Sequence, residues 1–144
     1  MNDRYLYRAK RTDNGEWVKG FYFCMEHTDK RHAHHFIIPL GVSLEKGTPI
    51  EKIQVEVDPS TICQCTELKD KNGNLIWEND ILVGHLDDEY PDDETYEKVI
   101  WRKSGFNTVE QGSDDVSELD DFTEQNFEVV GNIFDNPELL EVGE

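Results

Sequence analysis

Short apolar segments that alternate with polar positions, separated by turn residues, run along most of the chain. Residues 52–57 show the pattern clearly, because Ile53, Val55 and Val57 would share one face of an extended strand. No segment keeps helical periodicity over about 11 residues, the length at which an amphipathic helix becomes recognisable. The other predicted strands are residues 5–10, 17–24, 36–40, 81–83, 96–103, 106–109 and 127–134. The pattern therefore predicts a mostly β protein built from short strands.

Turn and helix signals divide these strands. The Asn-Gly pair at 14–15 readily takes positive φ and marks a tight turn after the first strand. Residues 25–34 are polar and are predicted to form a loop. Helical structure is expected at residues 113–125, as an acidic turn or helix, and at residues 136–140. In the second of these, Pro137 suits the first position of a short helix.

The length of 144 residues suits one domain, or one domain with a small appendage. Hydrophobic residues make up 36% of the chain, enough for one modest core. The region 39–59 contains three prolines and is the predicted boundary between two strand groups. We therefore predict an N-terminal β-rich segment at 1–58 and a C-terminal barrel-like group at 59–144, which together can form one compact unit.

Negative charge is concentrated in the second half of the chain. The net charge is −18 overall, and residues 85–144 carry −16 of it with 3 basic and 19 acidic side chains. The most acidic stretches are residues 87–94 and 114–124. Such a surface repels nucleic-acid backbones and membrane head groups, so direct nucleic-acid binding and membrane binding are not expected. It favours solubility, or a partner with a basic surface.

The expected compartment is the cytoplasm. No apolar run approaches the roughly 20 residues that a membrane span needs. The N-terminal sequence has basic residues without the apolar region of a signal peptide. Three cysteines without an export signal favour reduced thiols.

A group of potential metal ligands lies near the end of the second predicted strand. Its members are Cys24, His27, His32, His34 and His35. Imidazole suits zinc, nickel and copper, and His32 and His34 would share a face of an extended chain. The segment is polar, however, and no scaffold in the sequence obviously positions the ligands. These residues are the candidates for a metal site, but we do not predict that they form one.

The stretch CQCTELKDKNGNLIWEND at 63–80 offers two further possibilities for a metal site. Cys63 and Cys65 lack the second ligand pair that a structural zinc site needs, so two buried side chains on one strand face are favoured. The loop around Asp70 lacks the glycine position, the final glutamate and the flanking helices of an EF-hand. The stretch is therefore predicted to be a turn between two apolar segments, with Trp77 and Ile81 as core residues.

No combination of residues indicates catalysis. The chain lacks G-x-S-x-G, H-E-x-x-H, a phosphate-binding glycine loop and P-C-x-x-C. Glu78 and Asp80 could share a face, but a junction between a turn and a strand needs such residues for capping. The basic and aromatic residues near the N-terminus, which are Arg4, Tyr5, Tyr7, Arg8, Lys10 and Arg11, are few beside the net charge of −18. We predict no catalytic and no cofactor-binding residues.

Several segments read together resemble one known family. They are VDPST at 57–61, QCTELKDKNG at 64–73, IWENDI at 76–81 and FEVVGNIFDNPELLE at 127–141, with a weaker likeness in LYRA at 6–9. These segments are similar to the YopX family of phage and prophage proteins, whose pattern has glycine where this chain has Glu67 and Asn79. Asn tolerates positive φ. Because Glu does not, we expect no positive φ at position 67.

The resemblance implies a mostly β fold in which residues 59–144 form a small SH3-like barrel with an acidic insertion and a short terminal helix. It also implies an origin in a phage or prophage and self-association into oligomers, and it implies no particular reaction. We therefore expect a non-catalytic protein-interaction or oligomeric assembly module that forms homo-oligomers. One alternative is an acidic DNA-mimic decoy that binds a host DNA-binding protein. Another is a metal-binding module or metal-dependent enzyme that uses Cys24 and the histidines.

Overall fold

The chain forms two compact units, residues 1–64 and residues 65–144. The structure, a computed structural model, describes residues 5–26, 33–42, 45–84, 94–102, 105–113 and 116–141. All strand pairs among these residues are antiparallel. The prediction of a mostly β protein is confirmed.

The first unit is a meander of short strands. Its strands are β1 (Tyr7–Lys10), β2 (Trp17–Glu26), β3 (Ala33–Pro39) and β4 (Val55–Glu56), and it includes the first residues of β5 (Cys63–Lys69). They pair in the order β4-β3-β2-β1-β5. The predicted turn between β1 and β2 is present, with Gly15 at a φ of 73°. Ala9, Ile37 and Val57 are buried together as the core of this unit.

The second unit contains most of the remaining strands. They are β6 (Leu75–Trp77), β7 (Asp80–Gly84), β8 (Thr95–Arg102), β9 (Gly105–Glu110), β10 (Val116–Glu118) and β11 (Phe127–Asn132), with helix α1 (Asp121–Asn126) before β11 and a 3-10 helix at Pro137–Leu140. β6 pairs with β5, and the other strands form a sheet in the order β10-β9-β8-β7-β11. Ile76, Leu82, Val99 and Phe127 form its core. None of the described helices has the length and hydrophobicity of a membrane-spanning helix.

The C-terminal sheet is open. Its end strands β10 and β11 do not pair with each other among the described residues, so no closed barrel is formed. The prediction of an SH3-like small barrel at 59–144 is therefore not confirmed. β11 contains a bulge between Val129 and Gly131, which bends one end of the sheet.

Three local predictions hold only in part. Of residues 25–34, predicted to be a loop, the outer residues belong to strands, because β2 continues to Glu26 and β3 begins at Ala33 where backbone pairing extends across polar side chains; residues 27–32 lie outside the described residues. Residues 52–57 form only the two-residue strand β4, because a 3-10 helix at Ile50–Lys52 precedes it. The acidic turn or helix predicted at 113–125 is present as α1, and the same region also contains β10.

Positive φ is kept at both positions where the family pattern has glycine. Glu67 has a φ of 71° and Asn79 a φ of 70°. The expectation for position 67 was therefore wrong. The reason lies in the pairing of β5 with β6, which shifts register between Cys65 and Lys69. An irregularity of this kind needs a residue in an unusual backbone conformation, whichever side chain the sequence supplies.

Candidate functional site

The metal-ligand candidates that the structure describes are divided between two faces of the β2–β3 hairpin. His34 lies on one face, where its Nδ1 is 2.8 Å from Oε2 of Glu56. His35 lies on the other face, where its Nδ1 is 2.6 Å from the hydroxyl oxygen of Tyr22. Cys24 is the cross-strand partner of His35 and shares its face. Adjacent residues of a strand point in opposite directions, so these two histidines cannot bind one ion together.

Cys24 and His35 instead form a small polar group around Tyr22. Burial raises the pKa of the Tyr22 phenol, and interactions with Cys24 raise it further. Among the described residues, no three Cys, His, Asp or Glu side chains converge on a point where a metal ion could bind. His27 and His32 lie outside the described residues.

The Asp70 loop is held together by one buried carboxylate. Oδ1 of Asp70 accepts hydrogen bonds from the backbone N–H groups of Asn72 and Asn74 at 2.9 and 2.8 Å. Oδ2 accepts from the N–H of Val129 in β11 at 2.9 Å and from the Asn74 amide at 3.3 Å. Burial alone would raise the pKa of Asp70, but the bonds from Val129, Asn74 and Asn72 outweigh it and lower the pKa. The predicted turn is confirmed, and its carboxylate fastens the loop to another strand.

The neighbouring sequence predictions are also confirmed. Cys63 and Cys65 are both buried on one face of β5, at 0% and 1% exposure. Trp77 and Ile81 are core residues. Asp80 is buried, and its Oδ2 accepts a hydrogen bond of 2.7 Å from the N–H of Trp77, as expected of a residue that closes a turn. The stretch at 63–80 is architectural.

The basic and aromatic residues near the N-terminus do not share one surface. Arg8 and Lys10 lie on one face of β1, where their cationic groups are 4.8 and 5.4 Å from the ring centre of Trp17. Tyr7 lies on the other face, with its ring 5.4 Å from that of Tyr22. The remaining members are Arg11, which pairs with Asp13 at 2.7 Å, Tyr5, which is exposed, and Arg4, which lies outside the described residues.

An apolar surface covers the side of the β2–β3 hairpin that faces away from the first unit's core. We call it the aromatic face; its apolar residues are Phe21, Phe23, Met25, Ile38 and Phe36, of which Phe36 is only 9% exposed, and the polar side chains of His34 and Glu56 lie on the same side. The rings of Phe23 and Phe36 stack with their centres 5.3 Å apart. Phe21 and Met25 keep 42% and 50% of their surface exposed. Alternation in residues 17–24 predicted the strand, but not which of its two apolar faces the core would cover.

A cavity of about 300 Å³ lies in the second unit. Its walls include the carboxylates of Glu97, Glu118 and Asp120 and the rings of Phe122 and Phe127. We call it the Glu97 cavity. Glu97 is 9% exposed, and its carboxyl group is hydrogen-bonded to the hydroxyl of Thr108 in β9. Burial raises the pKa of Glu97, the Thr108 bond lowers it, and the nearby charge of Glu110 raises it again, with a net rise.

One feature of the sequence indicates this cavity, namely the position of Glu97 in the alternating pattern of β8. Glu97 is two residues before Val99 in β8, so both side chains point to the same face of the sheet. Val99 is fully buried in the core of the unit. A carboxylate in phase with a core residue is unusual, because burying an ionised group is costly. The alternation within residues 96–103 therefore already placed an acidic side chain on the buried face.

Comparisons with known proteins support one family and one fold. The family model described as "YopX protein" matches residues 6–141. The crystal structure of protein EF1440 from Enterococcus faecalis is 27% identical, with a TM-score of 0.54 over 94% of this chain and 96% of that one. The structure of protein yopX from Bacillus subtilis is 15% identical, with a TM-score of 0.53 over 98% of this chain and 99% of that one. No curated protein matches the chain.

Proposed function

This chain belongs to the YopX family, and we propose that it is a phage or prophage accessory protein that works in the bacterial cytoplasm as a non-catalytic module and assembles with further copies of itself. The family match extends over residues 6–141 and so includes both units. The proposal also includes an SH3-like arrangement of the strands in residues 59–144, although their sheet is open. Its support is a set of short antiparallel strands with a bulge in β11.

The observation that carries the proposal is the aromatic face. Phe21 and Met25 are exposed on it beside the stacked rings of Phe23 and Phe36. Contiguous apolar patches of this kind mark protein interaction sites on soluble proteins. The first unit carries 9 basic and 9 acidic side chains and so has no net charge. Two copies can therefore bring their first units together without repulsion between their net charges.

Sedimentation velocity over a range of protein concentrations tests the proposal. We expect wild type to show a species larger than the monomer, and the double variant Phe21→Gln, Met25→Gln to dissociate at least about tenfold more readily, since each apolar side chain contributes on the order of 1 kcal/mol at an interface. Val130→Gln is the matched control, because Val130 is an apolar residue of β11 with 39% exposure outside the aromatic face. A strictly monomeric wild type, or equal dissociation of the control, would contradict self-assembly through this face.

A second candidate is the acidic decoy that binds a host DNA-binding protein. It is favoured by the charge of the second unit, which carries 5 basic and 23 acidic side chains and therefore the whole net charge of −18. Capture of host proteins on immobilised wild type should then give basic DNA-binding proteins that elute as salt is raised from 0.05 to about 0.5 M, because ionic contacts are screened. Partners that stay bound at high salt, or that are not DNA-binding proteins, would argue against a decoy.

A further inference from the structure

The part of the chain that the structure describes places no positive charge against the buried carboxylate of Glu97. Glu97 is 9% exposed, and its hydrogen-bond partner among the described residues is the neutral hydroxyl of Thr108. An ionised carboxylate can accept about four hydrogen bonds, and burying one without a cation is costly. The bond to the buried Thr108 hydroxyl offsets only part of this cost, because a neutral hydroxyl does not balance a negative charge. A residue that costs stability inside a cavity is a candidate for binding.

Further carboxylates near Glu97 add to the negative charge around it. Glu118 and Asp120 line the same cavity, and Glu110 on the neighbouring strand is close enough to raise the pKa of Glu97. None of the described residues that line the cavity is basic. Asp120 is already engaged in part, since its Oδ1 accepts hydrogen bonds from the N–H groups at the start of α1. The carboxyl of Glu97 is therefore neutralised either by a proton or by a cation that enters from outside the lining of the cavity.

The lining distinguishes an organic cation from a metal ion. The described carboxylates do not converge as the ligands of a metal ion would, although three of them line one cavity. Two aromatic rings, Phe122 and Phe127, complete the walls with their centres 6.5 Å apart. Rings of this kind suit an apolar stem or the face of a guanidinium group. A volume of about 300 Å³ is at the lower end for ligand pockets and suits a group the size of one side chain.

We propose that the Glu97 cavity binds an organic cation, a guanidinium or ammonium group on an apolar stem, with Glu97 as its buried counter-ion. The cationic group would lie against Glu97 and its stem against the exposed ring of Phe122. Such a group exists as an arginine or lysine side chain of a partner protein and also as a free alkylamine. The proposal is independent of self-assembly through the aromatic face, because the cavity lies in the second unit and the aromatic face in the first.

Titration of the isotope-labelled full chain, followed by NMR at pH 8, tests the proposal. The probes are N-acetyl-arginine amide and N-acetyl-lysine amide, and N-acetyl-norleucine amide is the uncharged control. We expect saturable shifts of the backbone signals of Thr108, Ser117 and Thr123 with the two cations only. Titration with butylguanidinium and with the peptide Gly-Arg-Gly separates the two sources, since tighter binding of the peptide favours a protein side chain and tighter binding of butylguanidinium favours a free amine.

Two variants locate the binding at Glu97. Glu97→Gln keeps the shape and a hydrogen-bonding oxygen for Thr108, and we expect it to weaken cation binding by about tenfold or more, as loss of a charge-assisted hydrogen bond does. Glu138→Gln removes the same charge from an exposed residue of the 3-10 helix at Pro137–Leu140, which does not line the cavity, and should change affinity by less than about twofold. Equal weakening in both variants, shifts with the norleucine probe, or no saturable shift with either cation would overturn the proposal.

The pH dependence of cation binding to wild type supplies a further test. Binding should strengthen as pH rises through the raised pKa of Glu97, because only the ionised carboxylate attracts the cation. Glu110, Glu118 and Asp120 are the other titratable groups that face it, and Glu110→Gln separates the contribution of the nearest one. Affinity that is the same from pH 4 to pH 8 would also overturn the proposal.

Discussion

Replacing Glu67 with glycine should stabilise the protein, because the backbone at this position is held in a conformation that glutamate does not favour. The φ of Glu67 is 71°, in the left-handed region. That conformation costs an L-residue with a Cβ about 1–2 kcal/mol. Glycine avoids the cost but loses about 0.5–1 kcal/mol through its greater freedom in the unfolded chain. The expected net gain in the free energy of unfolding is about 0.5–1 kcal/mol, or roughly 2–4 °C in Tm.

Glu67→Ala is the matched control, because the Glu67 side chain takes part in interactions that either substitution removes. Both variants lose the side chain beyond Cβ, and only glycine also loses the Cβ that causes the strain. Urea unfolding followed by tryptophan fluorescence gives the free energy of unfolding of wild type and both variants. We expect the glycine variant to exceed the alanine variant by about 1 kcal/mol with equal m values.

The difference in stability between the glycine and alanine variants tests whether the backbone at position 67 is strained. If the glycine variant is no more stable than the alanine variant, the backbone at position 67 is not strained and the reasoning fails. Asn79, with a φ of 70°, provides an internal check. Its substitution by glycine should gain less than that of Glu67, because asparagine tolerates the left-handed region better than glutamate does.

Two further predictions concern buried carboxylates. Asp70→Asn should lower the free energy of unfolding by about 2–3 kcal/mol at pH 7, because an amide cannot accept all of the bonds that the carboxylate accepts. The pKa of Asp70 is lowered on folding, so its contribution is present above pH 3.8 and is lost as pH falls through the folded pKa; a deficit in the variant that does not shrink between pH 5 and pH 2.5 in urea unfolding would contradict this. The contribution of Glu97 to stability depends on pH in the opposite direction. Its pKa is raised on folding, so the contribution is fully present below pH 4.5 and is lost as pH rises through the folded pKa. Glu97→Gln should therefore gain stability relative to wild type between pH 4 and pH 8 in thermal unfolding, and a constant difference would contradict the assignment.

Local signals in the sequence predicted the parts of the fold that depend on neighbouring residues. Cys63 and Cys65 are two residues apart on a strand, and alternation alone places both on its buried face. Gly73 and its polar neighbours form a turn whichever strands flank it, and its φ of 85° agrees with that expectation. The family resemblance joined segments that are distant in the sequence, such as 64–73 and 127–141, which alternation treats separately.

The remaining features depend on residues that are distant in the sequence. The polar ends of β2 and β3 are strands because they pair with each other, not because their side chains favour extension. Position 67 has positive φ because β5 meets β6 out of register, which the identity of one residue does not reveal. The alternation of β8 places Glu97 on the same face as the buried Val99. The rings beside Glu97 come from α1 and β11, about 25–30 positions further along the chain. Charge counts and motifs describe what a sequence contains, and the cavity depends on what the fold brings together.

The distribution of charge separates the two proposed contacts by their response to salt. The second unit carries the whole net charge of −18, so second units in an assembly repel one another wherever they approach, and added salt screens that repulsion. Contacts through the apolar side chains of the aromatic face do not weaken on screening, so self-assembly should strengthen between about 0.05 and 0.5 M salt. Binding of a cation at Glu97 is an attraction between opposite charges and should weaken over the same range. If both contacts responded to salt in the same direction, at least one of them would not be made by the surface assigned to it.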